Sequence, residues 1–407
     1  MLFDKFGRFH ANIAALRGAT KADRRKIRQD VLQKYRAKGN LSLFYQSEST
    51  IFARAQDFMM SADLMTAKKI MVILVPEHND MSGGIYSMFS IANQMRNLKK
   101  VHEYEVVVMT RPNVKGLTYI RNSNFRNMED VLRFEQIKLF KEAEDIYIHL
   151  PEYASQYFVA DLSRSETSYL RSRRHLHINI LNQNIQLMPE RRDFQSLFGL
   201  TKSITQSVAH HAYFNQEMAD KYDLPTLLLP AYTDLGAYRG LDFANKDKLI
   251  IYSLDEAPHK QACIDLLTKN FPDFELVEIR GITFDKYMDY ATRCMFSISF
   301  GEGFDGYVAQ PIYQGGIGFT VYNDEFFPSD DFKKYENFFD SETDLLANIC
   351  NRMRDLMKDG DRYRTLNRKL IAEYDKLYSF NGYIEQLRKL ALKSFEIQPA
   401  VPGQKAS

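Results

Sequence analysis

Short apolar runs alternate with helix-period segments through most of the chain. The run 69–76 is continuously apolar after its opening lysine, as expected for a strand covered on both faces. A helical pattern over 85–98 follows. Apolar runs at 105–110, 145–150, 176–181, 203–208 and 226–229 then predict further strands, with a helix ending at 140–143. The pattern restarts after a join near 235–248. Strands at 249–253, 274–279, 295–300 and 318–322 are interleaved with helices at 260–270 and 287–292. Such alternation predicts α/β architecture, and its restart predicts two doubly wound units. Helices at 341–359 and 361–376 follow, then an amphipathic helix over 383–394. The stretch 398–407, with Pro399, Pro402 and Gly403, reads as a disordered tail.

Residues 1–66 lack this alternation. The first forty residues hold eleven Lys or Arg against three Asp. Ile27, Val31, Leu32 and Tyr35 are spaced for one helix face, and Leu2, Phe6, Phe9, Ile13 and Leu16 form a second stripe. A basic amphipathic extension suits an anionic membrane surface, a partner subunit, or packing on its own protein.

Bulk properties narrow the field. A chain of 407 residues exceeds one ordinary core, and 45% hydrophobic with 26% charged residues is a globular composition. A net charge of +2 gives no global electrostatic case for nucleic acid. Cys263, Cys294 and Cys350 lie too far apart for a metal motif and fit a reducing compartment. The N-terminus lacks the uninterrupted apolar core of a signal peptide, and the apolar runs are strand-sized. The expected location is the cytoplasm, with 1–40 able to hold the protein on the inner face of the plasma membrane.

The chemistry concentrates in Ser299-Phe300-Gly301-Glu302-Gly303-Phe304-Asp305-Gly306-Tyr307-Val308-Ala309-Gln310-Pro311, directly after a strand. Glycines let backbone N–H groups approach a ligand, and Glu302 can accept hydrogen bonds from sugar hydroxyls. A second glycine pair, Gly83 and Gly84, opens a helix after the first strand, where N–H groups favour an anion. Glu77, His78, Asn79 and Asp80 precede it. His149 ends the third strand, and Glu152 follows Pro151. His175, His177, His210 and His211 have no carboxylate or cysteine at metal-ligand spacing.

The 299–311 stretch resembles the donor-site signature of GT-B glycosyltransferases, a Glu-Gly-Phe followed after five residues by a second Glu. Glu302 stands at the first glutamate and Gln310 replaces the second. The resemblance implies two Rossmann-like domains facing across a cleft, beside the helical extension 1–66. The acceptor domain would span 67–240 and the nucleotide-sugar donor domain 241–378, with 379–397 a helix crossing back. It implies that Glu302 contacts the donor sugar and Gln310 the ribose. Gly303, Phe304, Asp305, Gly306 and Tyr307 complete the loop, with Gly83 and Gly84 facing the donor. Lys260 fills the position of a diphosphate-binding lysine, Ser253 stands where an arginine is usual, and Arg280 would supply the missing charge. His149 would contact the sugar. An inverting reaction would take its base from Glu152, His78 or Asp80. No metal and no cofactor beyond the nucleotide-sugar co-substrate are implied. The wording is similar to bacterial O-antigen and capsule enzymes acting on saccharide or lipid-linked acceptors. A sugar-nucleotide epimerase and a non-catalytic binding subunit share the fold. A hydride-transfer enzyme with two Rossmann units would need G-x-G-x-x-G after a strand; Gly301-Glu302-Gly303-Phe304-Asp305-Gly306 has that spacing, so spacing alone does not separate the two classes.

Overall fold

The computed structural model describes residues 24, 27, 45–46, 62–76, 82–111, 118–119 and 131–400. The 1–40 stripes, apart from Ile27, fall outside these residues, as do His78, Asp80 and the stretch 401–407.

The apolar run that opens the alternation is a strand in which every residue from Ile70 to Val75 is at most 4% exposed. In chain order the strands are β1 (Tyr45–Gln46), β2 (Lys69–Val75), β3 (Glu105–Thr110), β4 (Thr118–Tyr119), β5 (Leu132–Arg133), β6 (Asp145–Pro151), β7 (His175–Asn182), β8 (Ser203–Val208) and β9 (Thr226–Leu228). They continue as β10 (Asp247–Tyr252), β11 (Glu275–Glu278), β12 (Cys294–Ile298), β13 (Ile317–Val321) and β14 (Phe338–Phe339). The first sheet is parallel with order β5-β3-β2-β6-β7-β8-β9, and the second is parallel with order β11-β10-β12-β13-β14. β1 and β4 form a separate antiparallel pair.

The longer helices are α1 (Gly83–Asn97), α2 (Arg164–Arg171), α3 (Gln216–Tyr222), α4 (Lys260–Asn270), α5 (Phe284–Arg293), α6 (Gly306–Tyr313), α7 (Glu342–Lys358), α8 (Gly360–Asp375) and α9 (Phe380–Ala391). Each of α1, α2, α3, α5, α7 and α9 begins at a Ser, Thr or Asn side chain that accepts a backbone N–H, satisfying an otherwise orphaned donor. None of the described helices is long and apolar enough to cross a membrane.

Apolar layers cover both faces of the first sheet. One holds Phe134, Ile137, Phe140, Phe158, Phe194 and Leu197. The other is built from α1 and α9 and continues into the second domain through Leu249, Ile251, Phe284, Tyr287 and Met288. The chain leaves the second domain at α8, and α9 packs back on the first: the Tyr147 hydroxyl donates to Leu390 O at 3.1 Å, and Ile397 bridges Thr226.

Three expectations need correction. The segment before 143 is a short 3-10 helix, Phe134–Leu139, followed by a turn, not the end of an α-helix. The last helix starts at Phe380 because Ser379 caps it. Residues 398–400 are not a loose tail: Gln216 Nε2 donates to Gln398 O at 2.7 Å, and Ala400 N–H donates to Asp220 at 2.7 Å.

β13 packs tightly on α6. A Cβ at Gly318 would lie 2.8 Å from Val308 Cα. Gly318→Ala should therefore lower stability by about 1–3 kcal/mol. Urea denaturation checks this, and an unchanged midpoint would contradict the packing.

Candidate active site

In an open parallel sheet, ligands settle at the carboxyl ends of the strands where the connection order reverses. Here the reversals lie between β2 and β6 in the first domain and between β10 and β12 in the second. Both open on one cavity of about 1170 Å³, lined by both domains. That volume exceeds an ordinary small-ligand pocket of ~300–1,000 Å³.

The second domain contributes the loop after β12. Gly303 has φ +76, and its missing Cβ would stand 2.8 Å from Thr320 Oγ1, so only a glycine fits there without strain. That turn throws Glu302 to the cavity side. Asp305 caps α6, accepting from Tyr307 N–H at 2.8 Å and from Ser299 Oγ at 2.5 Å. Phe304 lines the cavity and stacks on Tyr374 at 5.1 Å. Gly306 and Gln310 line it too, and Gln310 Nε2 donates to Thr233 at 3.3 Å. Burial raises Glu302 to about 7, helped by Asp305, Asp255 and Glu325. Asp305 is raised to about 6, again mainly by burial.

The first domain contributes the ends of four strands, β2, β6, β7 and β8. Gly83 and Gly84 open α1 and line the cavity. Nothing lies within 4 Å of a Cβ at Gly83, whereas one at Gly84 would meet Gln183 Oε1 at 2.7 Å. Glu152 follows β6, is 4% exposed, and burial raises it to about 7. Its Oε2 accepts the Gln183 N–H at 3.4 Å. Asn184 Nδ2 reaches across the cleft and donates to Glu302 Oε1 at 3.3 Å. His210, after β8, brings Nε2 to 3.6 Å from Glu302 Oε2. Burial lowers His210 to about 4, so at neutral pH this contact is not an ion pair.

The structure thus gathers Glu302, Glu152, Gly83, Gly84, Phe304, Asp305, Gly306 and Gln310 around one space. It does not bring the other candidates there. His149 is fully buried inside the first domain beside Tyr147 and Asn179, and burial lowers it to about 3. It is a core histidine, not a residue of the cavity wall. Lys260 donates to Glu278 at 3.0 Å, and Arg280 Nε donates to the same carboxylate at 2.7 Å. Glu278 has absorbed both cations, and these bonds hold it down at about 2. Neither Lys260 nor Arg280 lines the cavity. Ser253 is fully buried, its Oγ accepting the Phe300 N–H at 3.0 Å. Gly303 and Tyr307 face inward, with Tyr307 against the Tyr287 ring. His78 lies outside the described residues.

Sequence reasoning missed Gln183, Asn184 and the position of His210. The available signal was the polar run Asn182-Gln183-Asn184 directly after a buried strand. It also missed Arg111, the one lysine or arginine among the described lining residues, and the exposed rings of Tyr153 and Tyr157. Among the described residues no group of three or more His, Cys, Asp or Glu is placed to hold a metal.

Two Rossmann-like parallel sheets facing across a ligand-sized cleft, with a last helix returning to the first domain, define the GT-B fold. The same fold is found in sucrose-phosphate synthase from Thermosynechococcus elongatus, at TM-score 0.50 and 10% identity over 80% of this chain and 98% of that one. A glycosyltransferase from Rickettsia africae ESF-5 aligns at TM-score 0.46 and 10% identity, over 80% of this chain and 99% of the other. A proposed UDP-N-acetylglucosamine 2-epimerase from Listeria monocytogenes aligns at TM-score 0.46 and 9% identity, over 82% and 99%. No family profile and no curated protein matches the chain in sequence.

The acidity of Glu152 yields a stability test. Its folded pKa of about 7 lies above the ordinary 4.5, so the native state binds more protons between those values. Stability therefore falls as pH rises through that window. Glu152→Gln removes the buried charge. It should stabilise the protein at pH 8 by up to about 3 kcal/mol and change little at pH 4. Denaturant melts at the two pH values check this, and equal effects at both would contradict it.

Proposed function

We propose that the chain is a metal-independent GT-B glycosyltransferase of hexosyltransferase type. It moves a sugar from a nucleotide-sugar donor to a growing saccharide or lipid-linked acceptor in bacterial O-antigen or capsule synthesis. The observation that carries the reading is the meeting, in one cavity, of the Glu302–Gly306 loop and Gln310 with Gly83, Gly84 and Glu152. In this reading 67–240 is the acceptor domain, 241–378 the donor domain, 379–397 the returning helix and 1–66 an assembly or membrane-contact extension.

Each group has a task. Glu302 takes hydrogen bonds from the donor sugar and Gln310 from the ribose. Phosphates lie at the start of α1, where N–H groups and the helix dipole favour negative charge. That placement compensates for the diversion of Lys260 and Arg280 to Glu278. Tyr153 and Tyr157, 37% and 58% exposed, offer ring faces to the apolar side of an acceptor sugar. If the transfer inverts the anomeric centre, Glu152 receives the acceptor hydroxyl proton, since a base near pH 7 is well matched to that work.

One observation favours a second reading. Carboxyl groups that titrate near neutrality face the cavity from both domains, Glu152 from one and Glu302 and Asp305 from the other. A sugar-nucleotide epimerase would use such a pair to remove and return protons.

Release of nucleoside diphosphate from a nucleotide sugar, measured with and without glycan acceptors, separates the two. Acceptor-dependent release is the expected outcome. Acceptor-independent epimer formation with uptake of solvent deuterium would sink the transferase reading. Glu302→Ala should lower turnover about a hundredfold, in the range for lost transition-state contacts. Because the Glu302 pKa is raised to about 7, as that of Glu152 is, the substitution should leave the melting temperature near that of wild type at pH 4 and should not lower it at pH 8.

A further inference from the structure

Glu302 belongs to the second domain, yet its two oxygens face groups of the first. Asn184 Nδ2 donates to Oε1 at 3.3 Å, and His210 Nε2 stands 3.6 Å from Oε2. The Asn184 amide is not free to turn, because its Oδ1 already accepts the Gln186 N–H at 2.9 Å. The donor end is therefore aimed at Glu302. His210 is steadied by an edge contact to Phe326 at 5.4 Å. Gln183, beside Asn184, holds Glu152 through its N–H and fills the space over Gly84. The turn after β7 therefore touches Glu152, Glu302 and the start of α1.

We propose that Asn184 and His210 are positioning residues for Glu302, orienting its carboxyl toward the donor sugar from the opposite wall of the cleft. The inference rests on the glycosyltransferase reading for the identity of that sugar, but the grip itself does not. A carboxyl on a glycine-flanked loop can turn freely unless something holds it. The second domain supplies charge near it, from Asp305, Asp255 and Glu325, all of which repel a carboxylate. Tyr378 and Tyr213 are the phenols near it. The orienting hydrogen bond comes from the first domain, from Asn184, with the His210 ring 3.6 Å from the other oxygen. With the Asn184 donor removed, no other hydrogen bond among the described residues offsets that repulsion at Oε1, so the charged form becomes harder to make and the carboxyl loses its orientation.

The test uses the full chain with ¹³C-labelled glutamate, and Glu302→Gln identifies the Glu302 carboxyl signal. In Asn184→Ala the titration midpoint of that signal should move upward by about one unit, as loss of a donor to a charged acceptor requires. Turnover should fall about tenfold or more with KM for the donor little changed. Asn184→Asp keeps the side-chain shape while placing a second carboxylate on Oε1, so its midpoint should rise further. His210→Gln should lower turnover in the same way. If the midpoint stays at its wild-type value in both Asn184 variants while the protein remains folded, the grip is refuted. If the midpoint shifts but no nucleotide sugar is turned over by the wild type, the grip stands and the transferase reading fails.

Discussion

The rings of Tyr86 and Phe284, stacked 4.3 Å apart, join α1 of the first domain to α5 of the second. They sit in a single apolar cluster that also contains Met71, Ile73, Ile251, Tyr287 and Leu387. A shared core of this kind does more than add stability. Removing apolar surface from water at roughly 25 cal/mol per Å² makes separation of the domains costly. The returning helix α9 completes the cluster with Tyr383, Leu387 and Leu390, and Tyr383 stacks on Tyr232 of the connecting segment at 5.0 Å. The relation between the two sheets is thereby set, and it brings a loop of the second domain to within a hydrogen bond of a turn in the first.

Electrostatics then divides the charged residues between two duties. Glu278, Lys260 and Arg280 form a mutually satisfied set at the end of β11, with no group left for the cavity. Among the described residues neither Glu152 nor Glu302 is paired with a lysine or arginine; both are desolvated and reach about 7. Paired carboxyls that titrate at working pH are useful for proton transfer and for donating hydrogen bonds when neutral. The cost is a less stable native state at high pH, the compromise expected where function and packing compete.

Much of the fold was legible because parallel strands buried on both faces write continuous apolar runs; β2, β3, β6 and β12 stand where those runs lie. β5 and β14, two residues each, are too short to carry a period. The Glu302 loop was legible because glycines flanking a carboxylate directly after a buried strand mark a tight turn at the sheet's ligand edge. The fate of Lys260 was not, since its partner Glu278 is 18 residues away and on a different element. His149 misled because β6 runs on to Pro151, so His149 lies within the strand, buried between the layers, and not at its ligand end. Asn184 and His210 gained meaning only from topology, which sets β7 and β8 beside β6 and opposite the second domain. Locally, Asn184 is marked only by the polar run Asn182-Gln183-Asn184 at the end of β7, and His210 by nothing.

The central claim is that a nucleotide sugar occupies the cavity between the domains. Thermal melting of the full chain with a panel of nucleotide sugars, each beside its parent nucleoside, tests it most directly. A true donor at a hundred times its dissociation constant should add about 2.7 kcal/mol of stability, and its nucleoside less. If no nucleotide sugar raises the melting temperature above that with its nucleoside, the account is contradicted.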